Sequence, residues 1–545
     1  MNVIAIIPAR GGSKGIPRKN LRPVAGKPML FYSVAACLNS PCIDKVIVTT
    51  DDEEIALFAE RFGADVIMRK PSLADDITPL DPVIYNALLE VERLHEKTFD
   101  IIVTVQPTSP LIQACDIDKV VDKFIQEDFD TVQTVVDDRH LCWTIQNNKA
   151  VPLYEKRVNR QSLPPNYRET GAVIACTRTQ IGKGSRIGDS VGLVVVPQTR
   201  SFDIDNFSDL YLCEAMLNRK KIVFTVIGYA KVGLGHAFRA VMLAHELVNF
   251  DLVFICEKKN DLAIDYIKSN NYPVFVCADN DLANAVIEHT PDLVINDILD
   301  TDIQYIDNLK EHNITVVNFE DLGPGHLNAD LVVNALYPDK TAAKNVLTGE
   351  MYFCVRDEFL YIEKTIRSTS VQQVLLTFGG VDEGDLTTKV LSSIANLCME
   401  RDISIMIVLG PGFQNRDSLE RYLTKTKGLK VDVHYQTKRI SDLMKSADVA
   451  ITSGGRTVLE LATLEVPTIV ICQNQRETTH TFASKQNGVL NLGYRGDVSE
   501  NDILSAFDKV ISDDRLLTEM SKNMAALDLT LGKQRVINEI VSLVK

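Results

Sequence analysis

A short basic loop near the amino end of the chain carries residue types that suit an anion. The stretch IIPARGGSKGIPRKNL, residues 6–21, breaks an apolar run into three glycines, a serine and several cations. The cations of this loop and of the residue after it are Arg10, Lys14, Arg18, Lys19 and Arg22. Their crowding builds repulsion, which a bound anion would relieve. The loop matches neither a Walker A nor a dinucleotide motif, and the alternative interpretation is a solvated basic turn.

Two aspartates in SFDIDNFSDL have the spacing of a metal site. Asp203 and Asp205 are two residues apart, so in an extended segment they project to the same side. Their oxygens suit one hard cation, and Mg²⁺ fits best. Such pairs also occur at helix caps and in solvated turns. Joined to the basic loop, they predict a nucleotide-transfer site in which cations and a metal offset the charge of a leaving pyrophosphate.

A second group of polar residues follows a glycine-containing loop at mid-chain. GYAKVGLGHAFRAV places His236 at the start of a helix, with Arg239 one turn later on the same side. A helix amino end disfavours imidazolium, so His236 could act as a neutral base. Two later loops add to this: Gly379 and Gly380 end a strand, and Glu460 lies on a helix that follows a Gly-Gly turn. The alternatives are a capping or core histidine, tight turns and a solvated glutamate.

The elements that would position these residues are β-branched runs that alternate with helix-length stretches. Runs such as Val3–Ile7 and Val449–Thr452 predict an α/β fold with mostly parallel sheets. In such sheets ligands bind outside the carboxyl ends of the strands, which is where these loops fall. The pattern restarts near residue 220, and the polar stretch at 361–371 separates two further lobes. The predicted domains are 1–220, 221–370 and 371–545.

The composition limits the class of protein. The chain of 545 residues is too long for one core, and 45% hydrophobic with 24% charged residues is typical of globular proteins. A net charge of −15 argues against a nucleic-acid-binding surface. Eleven cysteines without a C-x-x-C pair, and an apolar opening too short for a signal peptide or membrane span, predict a reduced cytoplasmic protein without a membrane partner.

Seven blocks in order along the first half closely resemble the acylneuraminate cytidylyltransferases, the CMP-sialic acid synthetase family. They are IPARGGSKGIPRKNL, AGKPML, IVTTDDEEIA, GADVIMRKPSLADD, VQPTSPL, RQSLPPNYRETGAV and SFDIDNFSDL. The resemblance implies a Rossmann-like nucleotidyltransferase domain that forms a homodimer and uses Mg²⁺. Its implied reaction joins CTP to the anomeric hydroxyl of a nine-carbon 2-keto sugar acid, a nonulosonic acid, and releases pyrophosphate.

This resemblance also assigns roles to residues. CTP binding is assigned to Arg10, Gly12, Ser13, Lys14, Lys19, Asn20 and Arg69. Sugar-acid binding is assigned to Gln106, Arg160 and Arg168, and the metal to Asp203 and Asp205, which with Lys19 form the catalytic group. Thr170 stands where the family often has asparagine, which leaves the sugar open. The nearest alternative is a cytidylyltransferase for 3-deoxy-manno-octulosonate.

Residues 221–500 resemble the UDP-sugar hydrolase of pseudaminic acid biosynthesis, a two-lobed protein of GT-B type. The motifs are GLGHAFR, NFEDLGPGHLNAD, LLTFGG and SGGRTVLE. The resemblance implies that His236 activates water and that UDP leaves a diacetamido-trideoxyhexose. UDP-sugar binding is assigned to Gly235, Arg239, Asp297, Asp321, Gly379, Gly380, Gly454, Gly455 and Glu460. A tyrosine that relatives carry after Asp297 is missing from INDILDTD, which leaves the specificity and activity open.

The sequence as a whole predicts a bifunctional enzyme of nonulosonic acid biosynthesis, of sialic or pseudaminic type. Its predicted small-molecule partners are CTP, a nonulosonic acid and a UDP-sugar. Two alternatives concern the second half of the chain. It could be a sugar-nucleotide-binding module without catalysis, or a glycosyltransferase in which an acceptor sugar replaces water.

Overall fold

The computed structural model describes the chain except residues 14, 75–76, 230–231, 338–340, 342, 364–369, 383, 411, 436 and 545. Its contacts divide the chain into two compact units, Met1–Arg219 and Lys220–Lys545. Lys14 lies outside the described residues, as does most of the polar stretch that was predicted to separate two lobes. Over the described residues, no helix has the length and apolar character needed to cross a membrane.

The first unit is built on one mixed sheet. Its strands are β1 (Val3–Pro8), β2 (Pro23–Val24), β3 (Lys27–Pro28), β4 (Lys45–Thr50), β5 (Asp65–Met68), β6 (Ile101–Val105), β7 (Thr131–Asp137), β8 (Trp143–Gln146), β9 (Lys149–Pro152), β10 (Tyr167–Thr177) and β11 (Val191–Val195). Its helices are α1 (Met29–Leu38), α2 (Glu53–Arg61), α3 (Leu80–His95), α4 (Ala114–Gln126), α5 (Arg178–Gly182) and α6 (Phe207–Leu217).

The main sheet of this unit has the strand order β11-β7-β10-β6-β1-β4-β5. All neighbours are parallel except β10, which runs antiparallel to β6 and β7. Alternate residues of β1 point to opposite faces. Ala5 packs in one core with α1, α2 and α4, while Ile4 and Ile6 pack in the other with α3 and α5. Strand order reverses between β1 and β6, so the loops after these two strands flank a crevice.

The second unit begins with a lobe whose described strands are all parallel. Its elements are β12 (Lys221–Val226), α7 (Gly235–Glu246), β13 (Asp251–Glu257), α8 (Asp261–Ser269), β14 (Val274–Cys277), α9 (Leu282–Glu288), β15 (Leu293–Asp297), α10 (Ile303–Glu311), β16 (Thr315–Phe319), β17 (Leu331–Asn334), β18 (Val346–Thr348) and α11 (Asp357–Leu360). The order is β14-β13-β12-β15-β16-β17-β18, and it reverses between β12 and β15.

The second lobe of this unit repeats the arrangement with another parallel sheet. Its elements are β19 (Gln373–Thr377), α12 (Leu386–Glu400), β20 (Ser404–Leu409), α13 (Arg416–Lys425), β21 (Val431–Tyr435), α14 (Ile440–Ser446), β22 (Val449–Thr452), α15 (Thr457–Thr463), β23 (Thr468–Cys472), β24 (Val489–Tyr494), α16 (Glu500–Ser512), α17 (Asp514–Ala525) and α18 (Gly532–Leu543). The order is β21-β20-β19-β22-β23-β24, with the reversal between β19 and β22.

The last helix does not belong to the lobe that precedes it. Val536, Ile537 and Ile540 form one stripe of α18, and this stripe packs in the core of the first lobe with Ile222 and Leu243. The prediction that residues 371–545 form one lobe is therefore corrected for α18, whose apolar stripe is buried on the other sheet. The predicted α/β class with mostly parallel sheets, in a first unit followed by a two-lobed second unit, is confirmed.

Candidate functional site

A cavity of about 370 Å³ opens in the first unit at the carboxyl ends of β1 and β6. Its polar wall comes from the basic loop after β1, the loop after β6 and the aspartate segment before α6. The predicted residues that line it are Arg10, Ser13, Lys19, Asn20, Arg69, Gln106 and Asp205. The remaining wall is largely apolar, with Leu73, Leu80 and Val83. This arrangement can hold an anionic ligand that also has a flat or apolar part.

Two of the residues predicted to bind CTP are themselves held in place. Asn20 is buried and its Nδ2 donates to the carbonyl of Arg10 at 2.9 Å, which braces the loop. Arg69 donates from Nη2 to the carbonyl of Thr49 at 2.7 Å. Burial lowers the pKa of Arg69 to about 10, and Asp51 partly offsets that effect. Both side chains therefore present fixed polar groups to the cavity.

The cations of the basic loop do not all face the cavity. Arg18 pairs with Asp52 and Glu54 at the start of α2, and the guanidinium of Arg22 lies 5.2 Å from the ring centre of Phe207. Repulsion within the loop is therefore relieved in part by the protein itself. The expectation that the whole cluster requires an external anion is therefore corrected for Arg18 and Arg22, which have partners within the protein.

The aspartate pair lies at the edge of this cavity, in a segment that is not part of a strand. Asp205 Oδ1 is 3.2 Å from Lys19 Nζ, and its side chain is 77% exposed. Asp203 is exposed, and desolvation, followed by the charge of the nearby Asp205, raises its pKa although Thr108 donates to it. The cap of α6 is supplied by Asn206, so the capping explanation does not apply to the pair.

The two carboxylates fit a partial metal site. Asp205 lines the cavity and Asp203 is close enough to feel its charge. No group of three or more His, Cys, Asp or Glu side chains suited to a metal occurs in the described part of the chain. Mg²⁺ commonly takes one or two protein carboxylates and completes its shell with water and substrate phosphates. The donor set therefore suits a metal that arrives with a nucleotide.

The predicted sugar-acid residues are only partly brought together. Gln106 lines the cavity, whereas Arg160 and Arg168 are exposed and are not among its lining residues as far as the chain is described. Arg168 Nε lies 3.3 Å from Asp138. Thr170 is buried, with its hydroxyl 2.6 Å from that of Thr134, so it does not face the cavity. This departure from the resemblance therefore acts on the packing between strands.

Gly12, which was predicted to bind CTP, is likewise not among the lining residues in the described part of the first unit. Open space surrounds its α-carbon on the side where a side chain would project. Ser13, the next residue, does line the cavity.

In the second unit the predicted histidine meets a buried carboxylate. His236 is the second residue of α7, and its Nδ1 is 2.5 Å from Oδ1 of Asp297 at the end of β15. The two residues meet because β12 and β15 are neighbours, with Val226 opposite Asp297. An Asp acceptor fixes the tautomer with the proton on Nδ1, which leaves Nε2 as the basic nitrogen.

A chain of buried charges continues behind this pair. Arg239 donates to both oxygens of Asp297, from Nε at 2.8 Å and from Nη2 at 2.6 Å, and from Nη1 to Glu320 at 3.1 Å. Burial opposes ionisation of Asp297, but Arg239 and His236 hold its pKa well below the usual range. Burial raises the pKa of Glu320. Both Arg239 and Asp297 are buried and orient His236, and the ligand contacts predicted for them stay a prediction.

Asp321 is also a structural residue. Its side chain is fully buried and accepts from Thr301, Asn318 and the backbone N–H of Gly323. These bonds fix the loops after β15 and β16 relative to each other. The carboxylate of Asp321 is engaged within the protein by these bonds, and the sugar contact predicted for it stays a prediction.

The glycine loops of the second lobe differ in what they can contact. Gly379 and Gly455 have open space where a side chain would project. A β-carbon added to Gly380 would lie 3.7 Å from the α-carbon of Gly233 in the first lobe. The N–H of Gly454 is already bonded to Glu477 at 3.0 Å. The N–H of Gly454 is therefore used within the protein, and the phosphate contact predicted for this residue stays a prediction.

Glu460 is buried on α15 and its carboxylate accepts from Nε of Arg356 at 3.0 Å. The predicted ribose contact would have to share this carboxylate with Arg356. Gly235, the first residue of α7, lies against the side chain of Arg456 from the other lobe.

Several arginines of the second unit were missed by sequence reasoning. Arg476, in the loop after β23, donates from Nη1 to both oxygens of Asp300 at 3.0 Å and from Nη2 to the carbonyl of Glu320 at 2.5 Å. Arg456 comes directly after Gly454-Gly455 at the end of β22. The signal that could have found Arg456 is the one used for the basic loop, a cation beside glycines at a strand end.

Comparison with protein families supports a different origin for each unit. Residues 4–181 match the model described as "Cytidylyltransferase", and residues 374–536 match the "Glycosyltransferase family 28 C-terminal domain". The first match covers the cavity of the first unit except its aspartate pair. The second covers the second lobe of the second unit and part of α18.

Individual relatives were also identified. The chain is 31% identical over 227 residues to CMP-N,N'-diacetyllegionaminic acid synthase of Campylobacter jejuni, which covers 40% of this chain and 97% of the relative. It is 30% identical over 218 residues to pseudaminic acid cytidylyltransferase of the same species, which covers 38% and 94%.

A further relative is an uncharacterized protein of Methanocaldococcus jannaschii, 32% identical over 308 residues, or 52% of this chain. The chain spans 63% of that relative's length. With a family match in its first unit and two relatives matched over nearly their whole length, the chain belongs to the cytidylyltransferase family.

Proposed function

We propose that the first unit transfers CMP from CTP to the anomeric hydroxyl of a nonulosonic acid. The observation that carries this proposal is the cavity in which Arg10, Lys19 and Asp205 line one wall. The cations that line the cavity suit a triphosphate, and its apolar wall suits a nucleoside. The relatives named for pseudaminic and legionaminic acids indicate the class of sugar acid.

The reaction that we propose is a direct displacement at the α-phosphorus. The anomeric hydroxyl oxygen forms a bond to that phosphorus and its proton passes to solvent, the bond to the bridging oxygen of the β-phosphate breaks, and pyrophosphate leaves with the electron pair. Lys19 and Arg10 stabilise the charge that develops on pyrophosphate. Asp203 and Asp205 would hold Mg²⁺, which supplies Lewis-acid stabilisation when bound. Arg160 and Arg168 would bind the sugar carboxylate only after moving toward the cavity.

We also propose that this unit forms a homodimer. The hairpin of β8 and β9 exposes Trp143, Ile145 and the adjoining Leu153, with exposed fractions of 55–76%. Apolar side chains concentrated on one projecting hairpin are typical of an interface between subunits. Sedimentation velocity of the chain and of a variant with Ile145→Glu would test this, since the variant should sediment as a monomer.

For the second unit we propose hydrolysis of a UDP-sugar. His236 Nε2 accepts a proton from water while the water oxygen bonds to the anomeric carbon. The bond from that carbon to the diphosphate oxygen breaks, and UDP leaves with the electron pair. Asp297 supports this role because it orients the imidazole and stabilises the imidazolium that forms.

A glycosyltransferase is the second candidate for this unit, and the match of residues 374–536 to a glycosyltransferase domain favours it. The same histidine would then deprotonate an acceptor hydroxyl. In the third candidate, the unit binds a sugar nucleotide without catalysis.

Two incubations of the purified chain test these proposals. CTP, Mg²⁺ and a panel of nonulosonic acids should give pyrophosphate and a CMP-sugar, and failure with the whole panel would refute the first proposal. UDP-diacetamido-trideoxyhexoses without an acceptor should release UDP and free hexose. Release only when an acceptor sugar is added would support the glycosyltransferase, and no release under either condition would leave the binding module.

A further inference from the structure

One arginine of the second lobe has an unusual set of contacts. Arg456 donates from Nη2 to the carbonyl of Cys354 at 2.9 Å, and its guanidinium lies 4.8 Å from the ring centre of Phe353. Its Nη1 is buried and has no hydrogen-bond acceptor among the described residues. Buried donors are almost always paired in native proteins, so an unpaired guanidinium nitrogen marks a place where an acceptor is expected to bind.

The position of Arg456 connects the two lobes of this unit. A side chain on Gly235 would lie 3.3 Å from Cδ of Arg456. Gly235 precedes His236, so the side chain of Arg456 lies against the start of the helix that carries the proposed base. The absence of a side chain at Gly235 allows this close approach.

Arg456 differs from the neighbouring arginines, whose charges are paired with carboxylates. Arg239 is paired with Asp297 and Glu320, and Glu460 is paired with Arg356. In the described part of the unit, no carboxylate lies within ion-pair distance of Arg456. Burial, followed by the charge of Arg239, lowers the pKa of Arg456. An anion bound there would stabilise the cation that its surroundings disfavour.

We propose that Arg456 binds the diphosphate of the nucleotide-sugar leaving group. This inference rests on the proposed binding of a UDP-sugar in the second unit. A guanidinium suits phosphate oxygens, and the open space at Gly455 leaves room beside it. Because negative charge on the leaving diphosphate grows as its bond to the sugar breaks, a cation whose side chain lies against the start of α7 stabilises the departing group. Arg456 of the second lobe thereby holds the diphosphate of the ligand near His236 of the first lobe.

Calorimetric titration of the full chain with UDP and with uridine separates phosphate contacts from nucleoside contacts. Arg456→Gln should weaken UDP binding about 10- to 100-fold and leave uridine binding unchanged, because only UDP carries the diphosphate. Arg456→Lys should give an intermediate loss, since it keeps the charge but not the planar fork. The matched control is Arg401→Gln, a surface arginine of the same lobe paired with Asp508, which should bind UDP as the original chain does.

Three results decide the matter. UDP affinity of Arg456→Gln within twofold of the original chain would overturn the inference alone. An equal loss of UDP and uridine binding in both Arg456 variants would also overturn it, because the residue would then shape the whole pocket. If the original chain binds neither compound, the proposed function of the unit fails and the inference with it. Thermal unfolding of each variant identifies misfolded protein, and in that case the Arg456→Lys variant carries the test.

Discussion

The two candidate sites hold their charges in different ways. In the first unit, Lys19 lines an open cavity and its partner Asp205 is largely exposed to solvent. In the second unit, Arg239 and Asp297 are 4% and 1% exposed and face each other behind His236. Separating two charges that are exposed to water changes the free energy little, whereas removing one member of a buried pair leaves the other unpaired and is strongly destabilising. The first site is therefore suited to binding ligand charge directly, and the second to fixing the direction of one base.

Both sites nevertheless follow one rule of sheet topology. Each of the three main sheets reverses its strand order once near its centre, between β1 and β6, β12 and β15, or β19 and β22. Lys19 and Arg456 follow two of these strands in loops, and His236 lies at the start of the helix that follows β12. Parallel sheets leave a crevice at such reversals, so residues far apart in sequence meet there.

The largest expected effect tests whether each unit has its own chemistry. Replacement of His236 by Ala removes the proposed base, and hydrolysis of the UDP-sugar should fall about 10²- to 10⁴-fold. CMP transfer should stay unchanged, because the cavity of the first unit contains no part of α7. Initial rates of UDP and pyrophosphate release measure both.

His312→Ala is the control, since this exposed histidine lies in the same lobe at the end of α10. Loss of both activities in His236→Ala, or loss in the His312 variant, would contradict the separation of the two sites.

The reciprocal experiment concerns the first unit. Lys19→Gln removes a cation that faces the proposed leaving pyrophosphate, and CMP transfer should fall about 10²- to 10³-fold while UDP release is kept. Steady-state assays with CTP give the result. Lys123→Gln, which breaks a surface pair with Glu127, should behave as the original chain. A fall of less than threefold in Lys19→Gln would place the triphosphate elsewhere.

A close contact at Gly15 in the first site can be tested by measuring the free energy of unfolding. A side chain on Gly15 would lie 2.7 Å from the carbonyl oxygen of Asp205, so Gly15→Ala must push the loop from the aspartate segment. Such overpacking should cost about 1–3 kcal/mol in the free energy of unfolding. Gly12→Ala, which meets open space, should change it by less than about 0.5 kcal/mol. Denaturant titration followed by the fluorescence of Trp143 reports on this unit, and equal stabilities of the two variants would refute the close contact.

The smallest effect tests the burial of polar groups in the second unit. Burial lowers the pKa of His480 to about 4, and the backbone N–H of Ala483 donates to its Nδ1. In the unfolded chain His480 binds a proton near pH 6.5, and in the folded chain it does not. Its contribution to the free energy of unfolding is therefore fully present above pH 6.5 and is lost as the pH is lowered toward 4. Each pH unit in this window should remove at most about 1.4 kcal/mol.

The measurement is urea unfolding at pH 7.0 and 5.5, followed by circular dichroism. His480→Gln should show a smaller loss between these two pH values than the original chain. Identical pH dependence in the two proteins would mean that His480 is accessible to protons in the folded state.

Features that lie close together in the sequence could be predicted, and features that depend on distant partners could not. The basic loop was found because its charges crowd within a few residues, and the start of α7 was found from GLGH. The partners of Arg239 are 58 and 81 residues away, so its buried role could not be distinguished from ligand binding. Pairing of Arg18 with Asp52, 34 residues away, was hidden in the same way.

Among the elements, continuous apolar strands in sheet centres were predicted, and exposed ones were not. β22 is buried along its whole length and reads as an apolar run. β8 and β21 are half-exposed, so their residues are mixed and give no run to detect. The position of α18 could not be predicted either, because its apolar stripe indicates that it is buried but not on which sheet.

That last helix determines how the coding sequence can be divided. Since Gly532–Leu543 returns to the sheet that begins at Lys221, the first lobe of the second unit is not one continuous segment of polypeptide. A stop codon before residue 532 would strip apolar cover from Ile222 and Leu243, and no single cut yields two self-sufficient lobes. The junction after Arg219, by contrast, separates two uninterrupted segments. It is the point at which two ancestral genes could be joined, or the present one split, without dividing a hydrophobic core.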